Sequence, residues 1–124
     1  KELKKIFIVQ PSDYWDDHYR FGTESAFKEK PLGDSFIDTI IINVVAPILF
    51  LYGKSIGEES YCERAIAHLE NTKGEKNKIT KHFKSLGVKC SSAADSQALI
   101  ELKKNFCDKK LCMSCSIGNK LINE

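Results

Sequence analysis

Apolar positions crowd into one stretch of the chain. From Phe36 to Tyr52, FIDTIIINVVAPILFLY, only Asp38, Thr39 and Asn43 carry polar side chains. A run this apolar needs cover on nearly every face, and it falls short of the ~20 predominantly apolar residues of a membrane span. Its isoleucines and valines favour strand. It is nevertheless longer than the ~3–10 residues of most strands, and no other segment alternates cleanly enough to pair with it. The pattern therefore predicts a buried central helix over about residues 36–52. Pro47 has no N–H to give the Asn43 carbonyl, so a bend is expected there. Gly53 is expected to end the helix.

Helical spacing recurs on both sides. Leu3, Ile6 and Phe7 mark a segment that ends at Pro11. Ser12 then reads as the N-cap of a short helix with an aromatic stripe of Tyr14, Trp15, His18 and Tyr19, closed by Gly22. Residues 22–35 form a connector. Glu58 to Glu70 is amphipathic, with Tyr61, Cys62, Ala65, Ile66 and Leu69 on one face. Glu75 to Leu86 turns Ile79, Phe83 and Leu86 inward, and Gly87 follows as its C-terminal stop. Ser92 and Asp95 are spaced as a capping pair before a helix of about residues 93–107, and a last short helical segment reaches about Ile122. The prediction is an all-α fold, a single compact domain of five to seven helices spanning 1–124. With no initiator methionine, the chain is expected to be a fragment of a longer protein.

Charge changes the picture only locally. Residues 1–72 hold 8 Lys/Arg against 12 Asp/Glu, whereas residues 73–120 hold 11 lysines against Glu75, Asp95, Glu101 and Asp108. Such asymmetry can mark an anion-facing surface. The basic half has no arginine, the better residue for bidentate phosphate contacts, and no aromatic platform for stacked bases. A solvated lysine coat is the simpler reading.

The chemistry with most content is cysteine. Cys107, Cys112 and Cys115 are spaced C-x4-C-x2-C, and five cysteines in all do not resemble a secreted disulfide framework. A reducing, cytoplasmic setting with no membrane association is expected. A C-x2-C pair plus a third thiolate from a preceding helix end can hold a metal; the spacing points to zinc ahead of an iron–sulfur cluster, with free thiols and no metal as the alternative. Cys90 is the best fourth ligand in the chain. It lies beyond a helix of roughly 21 Å, however, so His82, His18, water or another chain would complete the site if the loop does not fold back. Cys62, on an apolar helix face, reads as a small buried hydrophobe, and His18 as a structural histidine. No phosphate-binding loop, dinucleotide fingerprint or nucleophile elbow is present. Catalysis by the chain alone would require Asp16, His18, Glu75 or Asp95 to converge on one pocket.

The phrases SDYWDDHYRFG at 12–22, LGDSFIDTIIINVVAPILFLYGK at 32–54, EKNKI at 75–79 and SAADSQALIELKKNFCDKKLCMSCSIG at 92–118 together resemble the C-terminal region of a bacterial family, the domain of unknown function numbered 2851. Members of that family are longer, and their N-terminal part resembles a restriction-endonuclease-type nuclease core. The resemblance implies an accessory helical domain partnered by that N-terminal domain. Nucleic acid would be engaged by lysines beside the cysteines: Lys103, Lys104, Lys109 and Lys110. The competing expectation is a structural packing or dimerisation domain.

Overall fold

The computed structural model describes residues 2–123. Those residues are predominantly helical, as the pattern predicts, with one two-stranded antiparallel hairpin. Two compact units divide at Ile40/Ile41.

In the first unit, helix α1 (Glu2–Lys5) is a single turn, shorter than the Leu3, Ile6, Phe7 spacing predicts. The aromatic segment departs further from expectation. After a 3-10 turn at Asp13–Asp16 the chain enters strand β1 (His18–Arg20), turns through Gly22 at φ 68°, and returns as β2 (Thr23–Glu24). The expected short helix is thus a bulged hairpin, because β-favouring Tyr19, Phe21 and Thr23 flank a glycine already in the left-handed region. Tyr14 anchors it: the Oη accepts from the Gly22 N–H (2.9 Å) while the ring stacks on His18 at 4.0 Å. His18 Nδ1 lies 2.6 Å from Asp17 Oδ1, a structural role as expected. The Lys30 ammonium donates to the Trp15, Asp16 and His18 carbonyls and sits 4.2 Å from the centre of the Tyr19 ring. Helix α2 (Asp34–Ile40) closes this unit. Lys4 Nζ pairs with Asp38 Oδ1, an oxygen shut off from solvent, in a contact that is ionic rather than an aligned hydrogen bond.

The second unit begins with a π-helical turn at Ile41–Val45, immediately before Pro47 in α3 (Ala46–Ile56). A wide turn of this kind accommodates a residue that cannot donate to the usual carbonyl. Gly53 does not stop the helix. It is a buried helical residue, and α3 runs on to Gly57, whose φ of 73° makes the left-handed cap that glycine adopts without strain. Helix α4 (Glu59–Glu70) packs on α3 through Cys62 and Ala65, and Cys62 Sγ donates to the Phe50 carbonyl at 3.5 Å.

Helix α5 (Lys78–Ser85) starts later than Glu75, at a reciprocal capping box between Asn77 and Thr80. Helix α6 (Ala93–Glu101) opens on the expected Ser92–Asp95 box. It widens into a second π-helical turn at Leu102–Cys107, followed by a 3-10 turn at Cys112–Ser114 and helix α7 (Ser116–Asn123).

The apolar stretch is helical, and its burial is one-sided. Ile42, Ala46 and Gly53 are buried on the side that meets α4, whereas Ile48 and Leu51 are 61% and 66% exposed and Val44, Tyr52 and Ile56 are nearly half exposed. The helical run 34–56 contains an 18-residue window with a mean hydropathy of 1.9. By length and composition alone it is apolar enough to cross a membrane, being longer than the predicted 36–52.

Candidate functional site

Three thiols and a ring of hydrocarbon close one cavity of the second unit. Phe83 from α5, Leu99 from α6, Leu102 and Phe106 from the π-helical turn and Ile117 from α7 surround about 320 Å³, with Cys107, Cys112 and Cys115 in the same wall. The lining is hydrocarbon, sulfur and the backbone of Gly118.

Local backbone chemistry builds this wall. The Asp108 N–H donates to the Lys103 carbonyl (2.9 Å) and the Leu111 N–H to the Phe106 carbonyl (3.0 Å), both across five residues. That spacing is the wide turn which keeps Phe106 and Cys107 on the cavity. Lys110 then reverses the chain at φ 55°, a left-handed conformation a non-glycine residue adopts only when its surroundings hold it there. The Ser114 and Cys115 N–H groups donate to the Leu111 and Cys112 carbonyls at 3.1 and 3.2 Å, winding Cys112 and Cys115 into one turn. Helix α7 then descends onto that turn. A Cβ on Gly118 would collide with the Cys112 carbonyl oxygen, so the approach requires glycine.

All five cysteines are free: Cys62 and Cys115 are buried, Cys90 is half-buried, and Cys107 and Cys112 are exposed. The expected cluster Cys107, Cys112 and Cys115 does share a cavity. Among the described residues, however, no group of three His, Cys, Asp or Glu side chains is disposed to hold a metal ion. Cys90 does not join the cluster either. It lines a separate cavity with Lys73, Lys84 and Ser91, because α6 intervenes and the loop before it does not fold back. Burial raises the Cys90 thiol pKa, and Asp95 adds to the rise while Lys84 opposes it. His82 is exposed on α5, 6.1 Å from the Phe83 ring centre.

The lysines proposed to engage nucleic acid are partly committed elsewhere. Lys103 pairs with Asp108, and Lys109 donates to Asn105 Oδ1 at 2.8 Å; Lys104 and Lys110 are exposed. The candidate catalytic carboxylates serve local structure. Glu75 Oε2 accepts from Gln97 Nε2 (2.5 Å), and Asp95 caps α6. Sequence spacing missed one convergence, that of Lys73, Lys76, Lys81 and Lys84 around the Cys90 cavity. Its signal was the lysine-rich second half, but only the folded loops bring the four together.

Comparison with known proteins gives one match. The family model described as Protein of unknown function (DUF2851) matches residues 1–78, which takes in the 12–22 and 32–54 phrases and leaves the cysteine cluster outside. No curated protein and no solved structure matches.

Proposed function

The chain belongs to the DUF2851 family, and from that premise we propose that it is a helical docking module, seating a companion domain and performing no reaction of its own. One observation carries this reading. Val44, Ile48, Leu51 and Ile56 recur at helical spacing and stay 47%, 61%, 66% and 47% exposed, although α4 packs against the same helix. Contiguous apolar surface on a soluble domain marks an interaction site. The companion we propose is another domain of the same polypeptide. All of this stripe but Ile56 lies within the 32–54 phrase that resembles longer proteins, and all of it within the residues matched to the family. The thiols of Cys107, Cys112 and Cys115 then serve as packing groups in an apolar wall.

The test is hydrodynamic. The isolated chain should bind a hydrophobic dye and self-associate with concentration. Replacing Ile48 and Leu51 together by Glu should abolish both effects and leave the helical circular dichroism intact. A monomer that binds no dye would overturn the reading, and so would partition of the folded chain into neutral lipid vesicles. A zinc-bearing form of the module is the second reading, favoured by the three thiols in one wall. Near-stoichiometric zinc in anaerobically purified protein would carry it, and five titratable free thiols without metal would end it.

A further inference from the structure

A second cavity lies between the loop after α4 and the loop before α6, and backbone contacts set its frame. Lys73 and Ser92 form an antiparallel bridge, the Gly74 N–H donates to the Ser91 carbonyl (3.3 Å) and the Ala93 N–H to the Thr72 carbonyl (2.8 Å). Gly74 admits no side chain, since a Cβ there would stand 2.8 Å from the Ser92 carbonyl oxygen. Buried Thr80 ties α5 to the same frame. Its Oγ1 accepts from the Asn77 N–H (3.0 Å) and donates to the Glu75 carbonyl (2.9 Å).

Lys73, Lys76, Lys81 and Lys84 stand around the resulting space of about 330 Å³. Among the described residues, none of the four is in an ion pair. The one carboxylate in the lining, Glu75, accepts from Gln97. Neighbouring Asp95 is occupied by the Ser91 and Ser92 N–H groups. Four cations gathered on one concave wall repel one another, and a bound anion relieves that repulsion. Cys90 supplies a neutral wall, since burial and Asp95 hold its thiol protonated against the pull of Lys84.

We propose that this cavity binds the phosphate group of a small phosphorylated molecule. Four lysines against one carboxylate suit a dianion better than a single carboxylate ligand, and lysine binds phosphate as a point charge. The volume sits at the lower end of the ~300–1,000 Å³ of small-molecule sites, so it holds a phosphate with a modest organic group attached. The proposal is independent of the docking-module reading, because none of its residues belongs to the α3 stripe.

The experiment is calorimetric titration of the full chain at low ionic strength with pyrophosphate, a nucleoside monophosphate and a short single-stranded oligonucleotide in separate arms. Cys90 alkylation is followed in parallel by peptide mass spectrometry. Saturable binding of pyrophosphate and the mononucleotide is expected, with slowed alkylation at Cys90. Replacing Lys76 and Lys84 together by Gln should weaken binding by about tenfold or more, whereas Lys104→Gln with Lys110→Gln should not. Absence of saturable binding overturns the proposal. So does equal weakening by both pairs of substitutions, or binding of the oligonucleotide alone, which would assign the lysines to a polymer backbone.

Discussion

Gly53 of α3 and Cys62 of α4 pack so closely that a Cβ on Gly53 would stand 2.9 Å from Cys62 Sγ. The same carbon would be 2.9 Å from the Glu58 carbonyl oxygen and from Tyr61 Cβ, so no single flexible side chain can yield to make room. Overpacking of this kind costs about 1–3 kcal/mol, against a helix-propensity gain from glycine to alanine of at most about 1 kcal/mol. Gly53→Ala is therefore expected to lower the urea midpoint with an unchanged denaturant slope. An unaltered midpoint would mean that α3 and α4 separate without cost.

Asp95 gives the stability a readable pH dependence. Its carboxylate accepts from the Ser92 and Ser91 N–H groups and the Ser91 hydroxyl at 2.9–3.0 Å, and those bonds hold its pKa down from 3.8 to about 2. A pKa lowered by folding stabilises the protein fully above the unfolded value and is lost as pH falls through the folded one. Asp95→Asn should thus melt at lower temperature near neutrality, and the gap should close between about pH 4 and pH 2. Parallel melting curves across that range would refute the assignment.

That cap was legible because everything it needs lies within four residues. Ser92 and Asp95 announce themselves by spacing, as do Cys62 on the face of α4 and the apolar helix around Pro47. Gly53 misled because glycine serves both as a helix stop and as a point of close helix approach. The difference depends on where Tyr61 and Cys62 arrive, which is a tertiary fact. The hairpin was missed because Tyr14, Trp15, His18 and Tyr19 satisfy a helical period by coincidence, while the Gly22 turn and the Tyr14 Oη bond to it decide the local structure. The thiol spacing predicted that Cys107, Cys112 and Cys115 would meet, and they share a wall. It could not reveal that hydrocarbon would fill the rest of that wall, nor that the bridge between Lys73 and Ser92 would gather four lysines elsewhere.

The cysteines should react in an order set by exposure and charge. Cys107 and Cys112, both exposed, should be alkylated first. Cys90 should follow more slowly because it is half-buried and its thiol is held protonated. Cys62 and Cys115 should react only on unfolding. Time-resolved peptide mapping checks the sequence, and early modification of Cys115 would show that α7 lifts from the 3-10 turn in the native state.

Lys110 stores removable strain. Its φ of 55° is a conformation that glycine adopts freely and lysine does not. Lys110→Gly is expected to be neutral or stabilising by about 1 kcal/mol, once relief of strain is set against greater freedom of the unfolded chain. A loss of stability in thermal melts would mean that the Lys110 side chain itself holds the turn.

Lys30 gathers the carbonyls of Trp15, Asp16 and His18 around its ammonium group, much as a bound calcium ion gathers backbone oxygens in other loops. Here the cation is covalently part of the polypeptide. The hairpin therefore carries an ion that dialysis cannot remove and chelators cannot strip, and whose occupancy is fixed at one by translation. Acetylation of that single amine would take away its charge and leave one N–H where three carbonyls now share an ammonium group.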